Sequence, residues 1–288
     1  MPKVLIVGCG DLGTAIATRL RALHEVVGLR VSEKLLPLGM QTIQADVTKS
    51  NTLSVIETLK PNIIIYCVSA GGATDEKYEA AYVTGLKNIL TTQANNQTLQ
   101  HVFFVSSTRV YGQVSQDILN ETTLAIPADF GGERLLEAEN VLKEFCLNTR
   151  ADVQVCKSTS MRLSGIYGEG RLYLANMAKD TARWPAENHW SNRIHRDDAA
   201  GFIVFLVEKV LAEEKVDDTY IVTDDMPTQQ YQVLQWLATQ QGVDASHVKI
   251  PPVSGGKCLS NKRLRDMGFK LQYPNYQIGY GHILKKPD

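Results

Sequence analysis

The chain of 288 residues contains no long apolar run and almost no net charge, −1 at pH 7. Without about twenty consecutive apolar residues, no segment is expected to cross a membrane, and the N-terminal run VLIVGCG stops at Asp11. The absence of a basic excess argues against a surface for nucleic acid or another polyanion. A basic leader and a cleavage-like segment are also missing, so we expect a cytoplasmic protein.

Cysteine is scarce as well. The five cysteines are odd in number, scattered and without a CxxC pair; they are Cys9, Cys67, Cys146, Cys156 and Cys258. This pattern gives no basis for a disulfide framework and fits a reducing compartment. No His, Cys or Asp spacing indicates a metal site, and we expect none.

Short β-branched runs alternate with helical patterns over the first two-thirds of the chain. The runs are KVLIVG, EVVGLR, NIIIYCV, HVFFVSS and DVQVCKSTSMRL. Such alternation is typical of βαβ units, and runs that are apolar on both faces indicate strands covered by helices on both sides. We therefore predict an α/β fold with a Rossmann-type, doubly wound parallel sheet.

The pattern loosens after about residue 165. We predict a dinucleotide-binding domain over residues 1–165 and a smaller C-terminal substrate lobe over residues 166–288. The helix at 196–210 is expected to pack on the first domain. The segment RWPAENHWSN, residues 183–192, is expected to be a loop.

The N-terminal segment places Gly8, Gly10 and Gly13 in a GxGxxG pattern between a strand and a helix. In this context the first glycine allows a tight turn and the second lets the backbone approach a pyrophosphate. The helix N-terminus supplies N–H donors to the phosphates, so we expect Asp11 and Leu12 to contact a dinucleotide too. The alternative is a glycine-rich turn without a ligand.

The end of the second strand bears on the choice of cofactor. EVVGLR ends at Arg30, whereas Glu25, the kind of residue that binds a bare ribose, lies at the opposite end. An arginine fork suits a 2′-phosphate, and Ser32 lies just beyond it, so the sequence favours NADP, with NAD as the alternative. Arg30 could equally be a solvated strand-end charge or stack on adenine.

Further cofactor contacts are expected after the later strands. Asp46 and Val47 follow the third strand and would meet the adenine, although Asp46 also suits a plain helix N-cap. Ser69 follows the fourth strand and Ser106 ends the fifth.

Four segments in order resemble one family. They are FVSSTRVYG (104–112), DFGGERLLEAE (129–139), RLSGIYGEGR (162–171) and NRIHRDDAAG (192–201). Together they are similar to the extended short-chain dehydrogenases/reductases, the sugar-nucleotide epimerase and dehydratase group. The resemblance covers nearly the whole chain and implies an NAD(P)-binding epimerase, dehydratase or reductase acting on a nucleotide-sugar or a related carbonyl or hydroxyl compound.

The resemblance implies a hydroxyl at Ser107 that hydrogen-bonds the reacting oxygen, followed by a Tyr-x-x-x-Lys pair on the next helix. Phe130 and Arg134 stand at those two positions. Phenylalanine cannot relay a proton, and arginine is not equivalent to lysine, although Arg134 can still donate to ribose hydroxyls. The glycines depart too, because Val7 stands where the family's GxxGxxG begins; both departures resemble the superfamily's atypical members.

Three residues are candidates to replace the missing acid: Tyr111, Tyr167 and His195. Each also has an ordinary interpretation, as a packing tyrosine or as a histidine that stabilises a helix start. Substrate contacts are expected from Tyr167 and His195 and from three arginines, Arg109, Arg171 and Arg193.

Two functions follow from these observations. The first is an NAD(P)-dependent enzyme with a rebuilt acid/base, and the second is a non-catalytic NADP(H)-binding sensor or regulatory protein. Residues 80–90, AAYVTGLKNIL, match a family helix that often packs against another subunit, so a homodimer is a further expectation, with burial inside the same chain as the alternative.

Overall fold

A computed structural model describes residues 1–113, 117–147 and 156–285 of the chain. The chain forms two compact units. The first contains Met1–Gln113, Leu124–Arg162 and Ala200–Tyr220, and the second contains Val114–Thr123, Leu163–Ala199 and Ile221–Asp288. Most of the helix that begins at Arg196 therefore belongs to the first unit.

The strands are β1 (Lys3–Val7), β2 (Glu25–Arg30), β3 (Gln41–Gln44), β4 (Ile63–Tyr66), β5 (His101–Ser107), β6 (Ile118–Leu119), β7 (Lys157–Leu163), β8 (Gly165–Tyr167), β9 (Asn188–Ser191), β10 (Arg193–His195), β11 (Thr219–Val222), β12 (Thr228–Gln229), β13 (Val253–Gly256) and β14 (Cys258–Leu259). The α-helices are α1 (Asp11–Leu20), α2 (Ser54–Glu57), α3 (Asp75–Tyr78), α4 (Gly85–Thr92), α5 (Phe130–Leu147), α6 (Tyr173–Ala178), α7 (Arg196–Leu211), α8 (Gln230–Gln240), α9 (Lys262–Asp266) and α10 (Tyr276–Leu284).

Seven strands form one parallel sheet in the order β11-β7-β5-β4-β1-β2-β3. The register sets Val4 beside Val26 on one side and beside Ile63 on the other. The strand order reverses beside β1, because the chain runs from β1 to β3 towards one edge and from β4 to β11 towards the other. In such sheets the crevice at the carboxyl ends of the strands next to the reversal is where ligands bind. The predicted fold class is confirmed.

The central strands are apolar on both faces because helices cover both sides of the sheet. Val4–Val7 and Ile63–Tyr66 are completely buried. The predicted fifth run, DVQVCKSTSMRL, corresponds to β7 from Lys157 onwards, and its beginning at 152–155 lies outside the described residues.

The connection between β4 and β5 is one helical stretch with a change of hydrogen bonding inside it. α3 ends at Tyr78, residues Glu79–Thr84 form a π-helical turn, and α4 continues from Gly85. Such π-helical turns occur often at functional sites.

The second unit is built from short strand pairs and helices. β10 pairs with β8, β12-β9-β13 form a three-stranded sheet, and β14 pairs with β6. The interpretation of 183–192 as a loop was wrong in part, because β9 occupies Asn188–Ser191 and pairs with both β12 and β13. The mixed polar and aromatic sequence NHWS does not show the apolar alternation of a typical strand.

None of the helices in the described ranges is both long enough and apolar enough to cross a membrane.

Candidate active site

The turn between β1 and α1 has the geometry that the glycine pattern predicts. Gly8 has φ of +96°, a conformation that side chains rarely adopt, and a Cβ there would lie 2.7 Å from the backbone of Cys67. A Cβ on Gly13 would clash with the carbonyl oxygen of Gly8, so α1 packs directly on the turn. By contrast, a Cβ on Gly10 would meet no atom within 4 Å. The space beside Gly10 is therefore open to a ligand.

The first turn of α1 faces this open space with its main chain. Gly10 is the N-cap and has no side chain to accept from the helix, and the first intrahelical bond runs from the Thr14 N–H to the Gly10 carbonyl at 2.9 Å. The N–H groups of Asp11, Leu12 and Gly13 precede that bond, as expected for the phosphate end of a dinucleotide site.

Two polar groups lie at the ends of β2 and β3. The Arg30 Nε donates to the Ser32 hydroxyl at 2.8 Å, so both residues expected at the 2′-position are next to each other. One oxygen of Asp46 accepts from the Thr48 N–H at 3.0 Å and from its hydroxyl at 2.7 Å. This is an Asx-type turn, which differs from the helix N-cap that was the alternative for Asp46, because the N-cap of the following helical turn is Lys49. Val47 is buried, and Ser69, in the segment after β4, is exposed.

Ser106 lies in a buried polar network rather than on an open surface. Its hydroxyl donates to Glu139 at 2.6 Å. Glu139 also forms a buried ion pair with Arg162, with 2.6 Å between Nη2 and Oε2. Burial alone would lower the pKa of Arg162, but the hydrogen bond and the charge of Glu139 raise it above its usual range.

Tyr111 belongs to the same network. It is completely buried, and its phenol accepts from the Arg162 Nη1 at 2.6 Å. The guanidinium also lies over the phenol ring, 4.9 Å from its centroid. Ser106, Tyr111, Glu139 and Arg162 thus tie β5, α5 and β7 together, a structural role that differs from the catalytic one expected for Tyr111.

Ser107 and Phe130 lie at the carboxyl end of β5 and the start of α5, and both are partly exposed. The Ser107 hydroxyl caps the following turn by accepting from the Arg109 N–H at 3.2 Å. Phe130 packs edge-to-face on the ring of Tyr78, with 5.4 Å between the ring centroids.

Arg134 forms an ion pair with Asp75 at the start of α3. Its Nε and Nη2 contact the two carboxylate oxygens at 2.7 and 2.8 Å, and its Nη1 contacts Glu137 at 2.9 Å. The hydrogen bond from Arg134 lowers the pKa of Asp75. A guanidinium has five N–H donors, and these contacts use one on each of its three nitrogens. One hydrogen on Nη1 and one on Nη2 are left for a ligand.

Arg109 crosses the beginning of α5. Its Nε contacts both oxygens of Asp129, at 2.8 and 3.1 Å, and its Nη1 donates to the Tyr78 phenol at 2.9 Å. The guanidinium carbon lies 5.3 Å from the Tyr78 ring centroid and 5.4 Å from that of Phe130. A Cβ on Gly131 would lie 2.4 Å from the Arg109 guanidinium carbon, and a Cβ on Gly132 would lie 2.6 Å from the Arg109 carbonyl oxygen. These contacts explain the two glycines that follow Phe130 in the first turn of α5.

In the second unit, Tyr167 and His195 are brought together. Their rings meet edge-to-face at 5.2 Å, and both are buried. The His195 Nδ1 accepts from the Asp197 N–H at 3.1 Å, at the start of α7. Burial raises the pKa of Tyr167 above its usual range. Arg171 is exposed, and its N–H donates to the Gly168 carbonyl.

Arg193 and Asp224 are two further buried charges of the second unit. Arg193 contacts the Ser191 hydroxyl at 2.5 Å and lies over the Tyr276 ring. Burial raises the pKa of Asp224 to about 7, against a smaller opposing effect of Arg193. Among the described residues, no group of three or more side chains could hold a metal ion.

The sequence profile of the NAD dependent epimerase/dehydratase family matches residues 4–221 of this chain. The chain belongs to the NAD-dependent epimerase/dehydratase family. It is similar to the structure of a candidate NAD-dependent epimerase/dehydratase from Methylobacillus flagellatus, with 46% identity, a TM-score of 0.87, and coverage of 98% of this chain and 97% of the other. No curated protein sequence matches it significantly.

Two more distant structures share the fold. The UDP-glucose 4-epimerase of Thermus thermophilus in complex with NAD is 18% identical, with a TM-score of 0.76 and coverage of 96% of both chains. The UDP-glucose 4-epimerase of Thermotoga maritima with UDP-glucose is 15% identical, with a TM-score of 0.79 and coverage of 98% of this chain and 97% of the other.

Several residues of this family member were not foreseen from its sequence. The sequence pattern could have predicted the role of Glu139. This residue lies in the helical stripe formed by Leu135, Glu139, Leu142 and Cys146, and an acid among buried apolar positions indicates a buried partner. The roles of Asp75 and Tyr78 could not have been predicted, because nothing in the sequence links the start of α3 with residues 109, 130 or 134.

Proposed function

We propose that the chain is an NAD(P)-binding, epimerase/dehydratase-like oxidoreductase that acts on a nucleotide-sugar or a related small carbonyl or hydroxyl compound. The observation that carries the proposal is the β1–α1 turn, where Gly8 and Gly13 are required by the packing but Gly10 borders open space. A Cβ at Gly10 would meet no atom of the free protein, so packing does not require a glycine there, and we attribute the glycine to a ligand that approaches the backbone at this point.

The residues of the first unit fit a nicotinamide dinucleotide. The N–H groups at the start of α1 would bind its pyrophosphate, and the two unused donors of Arg134 would serve the nicotinamide ribose. When bound, this cofactor supplies reversible hydride transfer. The chain's own task is then to orient the substrate and to move the proton of the reacting oxygen, beginning with a hydrogen bond from Ser107.

NADP is the cofactor that we propose, with NAD as the alternative. The proposal is supported by the pair Arg30 and Ser32 at the end of β2, where a phosphate could accept from both the guanidinium and the hydroxyl. Glu25, at the other end of the strand, is paired with Lys3 at 3.1 Å.

Phe130 favours a second candidate function, a non-catalytic NADP(H)-binding sensor. The family's proton-relay phenol is absent at residue 130, while the turn that would bind the cofactor is intact. A sensor has to discriminate NADPH from NADP⁺. The two forms must therefore differ in how strongly they favour one conformation of the protein over another, because a ligand with equal affinity for two conformations does not change their populations.

One experiment separates the two. The purified chain is titrated with NADP⁺, NADPH, NAD⁺ and NADH by calorimetry, then incubated with a panel of nucleotide-sugars and carbonyl compounds while product sugars and reduced nicotinamide are followed. We expect dinucleotide binding and turnover of at least one substrate. Binding without turnover, together with clearly different affinities for NADPH and NADP⁺, would support the sensor.

We further propose a cytoplasmic homodimer that uses the helix containing residues 80–90. Five apolar residues of this segment are already buried within the chain: Ala81, Val83, Leu86, Ile89 and Leu90. A partner would therefore contact the remaining face of the helix, and sedimentation velocity measures whether the chain is a dimer.

A further inference from the structure

The phenyl ring of Phe130 lacks a hydroxyl, but a phenol lies directly beside it. Tyr78, the last residue of α3, presents its ring edge-to-face to Phe130 with an interplanar angle of 89°. Both side chains are partly exposed. A proton-transferring phenol is therefore present next to the position from which the family's tyrosine is absent.

Arg109 holds this phenol in one orientation. The Nη1 of Arg109 is 2.9 Å from the Tyr78 hydroxyl oxygen, and Asp129 fixes the guanidinium from the other side. Because a guanidinium can only donate, the phenol oxygen must be the acceptor in this bond. The phenol's own hydrogen therefore takes no part in the bond with Arg109.

The same arginine links Tyr78 to Ser107. The Arg109 main-chain N–H donates to the Ser107 hydroxyl oxygen at 3.2 Å, while its side chain reaches Tyr78. A single residue thus positions the hydroxyl at the end of β5 and the phenol at the end of α3. The pairing of a cation with a phenol resembles in kind the Lys and Tyr pair that Arg134 and Phe130 replace.

The local backbone supports a special role for Tyr78. The π-helical turn Glu79–Thr84 starts directly after it, and such turns are frequent at functional sites. Tyr82, the neighbouring tyrosine at 5.2 Å, is less suitable, because burial raises its pKa.

We propose that Tyr78 is the proton-transferring group of this site and that Arg109 is its positioning residue. This inference rests on the proposed function. When a substrate alcohol is oxidised, its O–H bond breaks and the proton passes to the Tyr78 phenolate oxygen, while the carbon gives a hydride, with two electrons, to the nicotinamide dinucleotide. In the reverse direction the Tyr78 O–H bond breaks and the carbonyl oxygen takes the proton.

The first test needs no substrate. The chain is treated with N-acetylimidazole, which acetylates accessible phenols, with and without saturating NADP⁺, and each tyrosine is followed by peptide mass spectrometry. We expect acetylation of Tyr78 that bound NADP⁺ suppresses several-fold, because the proposal places the phenol beside the nicotinamide end of the cofactor. Tyr173, 70% exposed on α6, is the control and should react equally in both samples. A Tyr78 that is not acetylated, or that NADP⁺ does not protect, would overturn the proposal.

The second test compares Tyr78→Phe with the wild type on a substrate that the wild type converts. Loss of the acid should lower kcat by roughly 10²–10⁴-fold, with NADP⁺ affinity unchanged by calorimetry. Adding Phe130→Tyr to Tyr78→Phe should restore part of kcat, because it returns a phenol to the adjacent position. Arg109→Met should lower kcat as well, and Tyr173→Phe should not.

The outcomes separate this inference from the function on which it rests. If Tyr78→Phe keeps full kcat, the proton-transfer role is wrong while the enzyme function stands. If the wild type binds no dinucleotide, it is the proposed function that fails.

Discussion

Arg134 contacts Asp75 through two parallel hydrogen bonds, from Nε to Oδ1 at 2.7 Å and from Nη2 to Oδ2 at 2.8 Å. The two residues are 59 positions apart in sequence and join the start of α5 to the start of α3. Arg134, at the position where the resemblance implies a lysine, therefore has a fixed partner of its own.

If the two N–H donors that Arg134 does not use in these ion pairs bind the cofactor, substitutions of Arg134 and of Asp75 should have different effects on the affinity for NADP⁺. We expect Arg134→Met to weaken NADP⁺ binding by about tenfold, the size of a lost hydrogen bond to a charged group. Asp75→Asn keeps the guanidinium and should change the affinity by less than about twofold. Calorimetric titration of both variants checks this, and equal losses in the two would mean that Arg134 serves only as a clamp.

Arg30 should determine the cofactor preference. Arg30→Glu puts a negative charge beside the expected 2′-phosphate, so we predict a fall of about tenfold or more in the ratio of NADP⁺ to NAD⁺ affinity. Arg21→Glu makes the same charge change at an exposed position after α1 and should leave the ratio unchanged. An unchanged ratio in Arg30→Glu would contradict the assignment of this strand end.

The buried network around Glu139 should contribute strongly to stability. Glu139→Gln leaves the charge of Arg162 buried without its partner, which we expect to lower the free energy of unfolding by roughly 3–5 kcal/mol. Glu137→Gln removes a carboxylate from the same helix, but from a partly exposed pair with Arg134, and should cost at most about 1 kcal/mol. Urea denaturation measures the free energy of unfolding of both variants. Equal losses in Glu139→Gln and Glu137→Gln would show that burial of the ion pair does not increase its contribution to stability.

Asp224 should make stability depend on pH. Its pKa in the folded chain is about 7, against 3.8 for an ordinary aspartate, and the charges that act on it are Arg193, Asp225 and Asp198. Between these two pKa values the folded state holds a proton that the unfolded state has lost, so stability falls as pH rises.

Asp224→Asn cannot titrate, so the Tm of the wild type should decline by several degrees relative to this variant between about pH 4 and about pH 7. The exposed Asp266→Asn should follow the wild-type curve throughout. Parallel curves for the wild type and Asp224→Asn would mean that the Asp224 carboxylate ionises normally.

The sequence could predict those parts of the site that depend on local spacing. The glycine turn follows from three glycines between one strand and one helix, and the pairing of Phe130 with Arg134 on one face follows from the helical repeat. The fold class follows from alternating strand and helix patterns, which are local as well.

The rest depends on contacts between residues distant in sequence. Tyr78 meets Arg109 over 31 positions, and Glu139 meets Arg162 over 23. A single sequence carries no record of which charged or phenolic side chains the sheet brings together. β9 was missed for a related reason, since its strand character comes from pairing with β12 and β13 rather than from its own residues.

The most direct measurement is a calorimetric titration of NADP⁺ and NAD⁺ into the wild type and into Gly10→Ala. A methyl group at Gly10 meets nothing in the free protein, so Gly10→Ala should lower the free energy of unfolding by no more than about 1 kcal/mol, the cost of alanine at a helix N-cap. The control Gly281→Ala lies inside α10 and should be at least as stable as the wild type. We predict one-site binding in the wild type and in Gly281→Ala, and a large loss in Gly10→Ala, because the methyl group takes the place of the pyrophosphate. Equal binding by Gly10→Ala, or no binding of either dinucleotide by the wild type at millimolar concentration, would contradict the account.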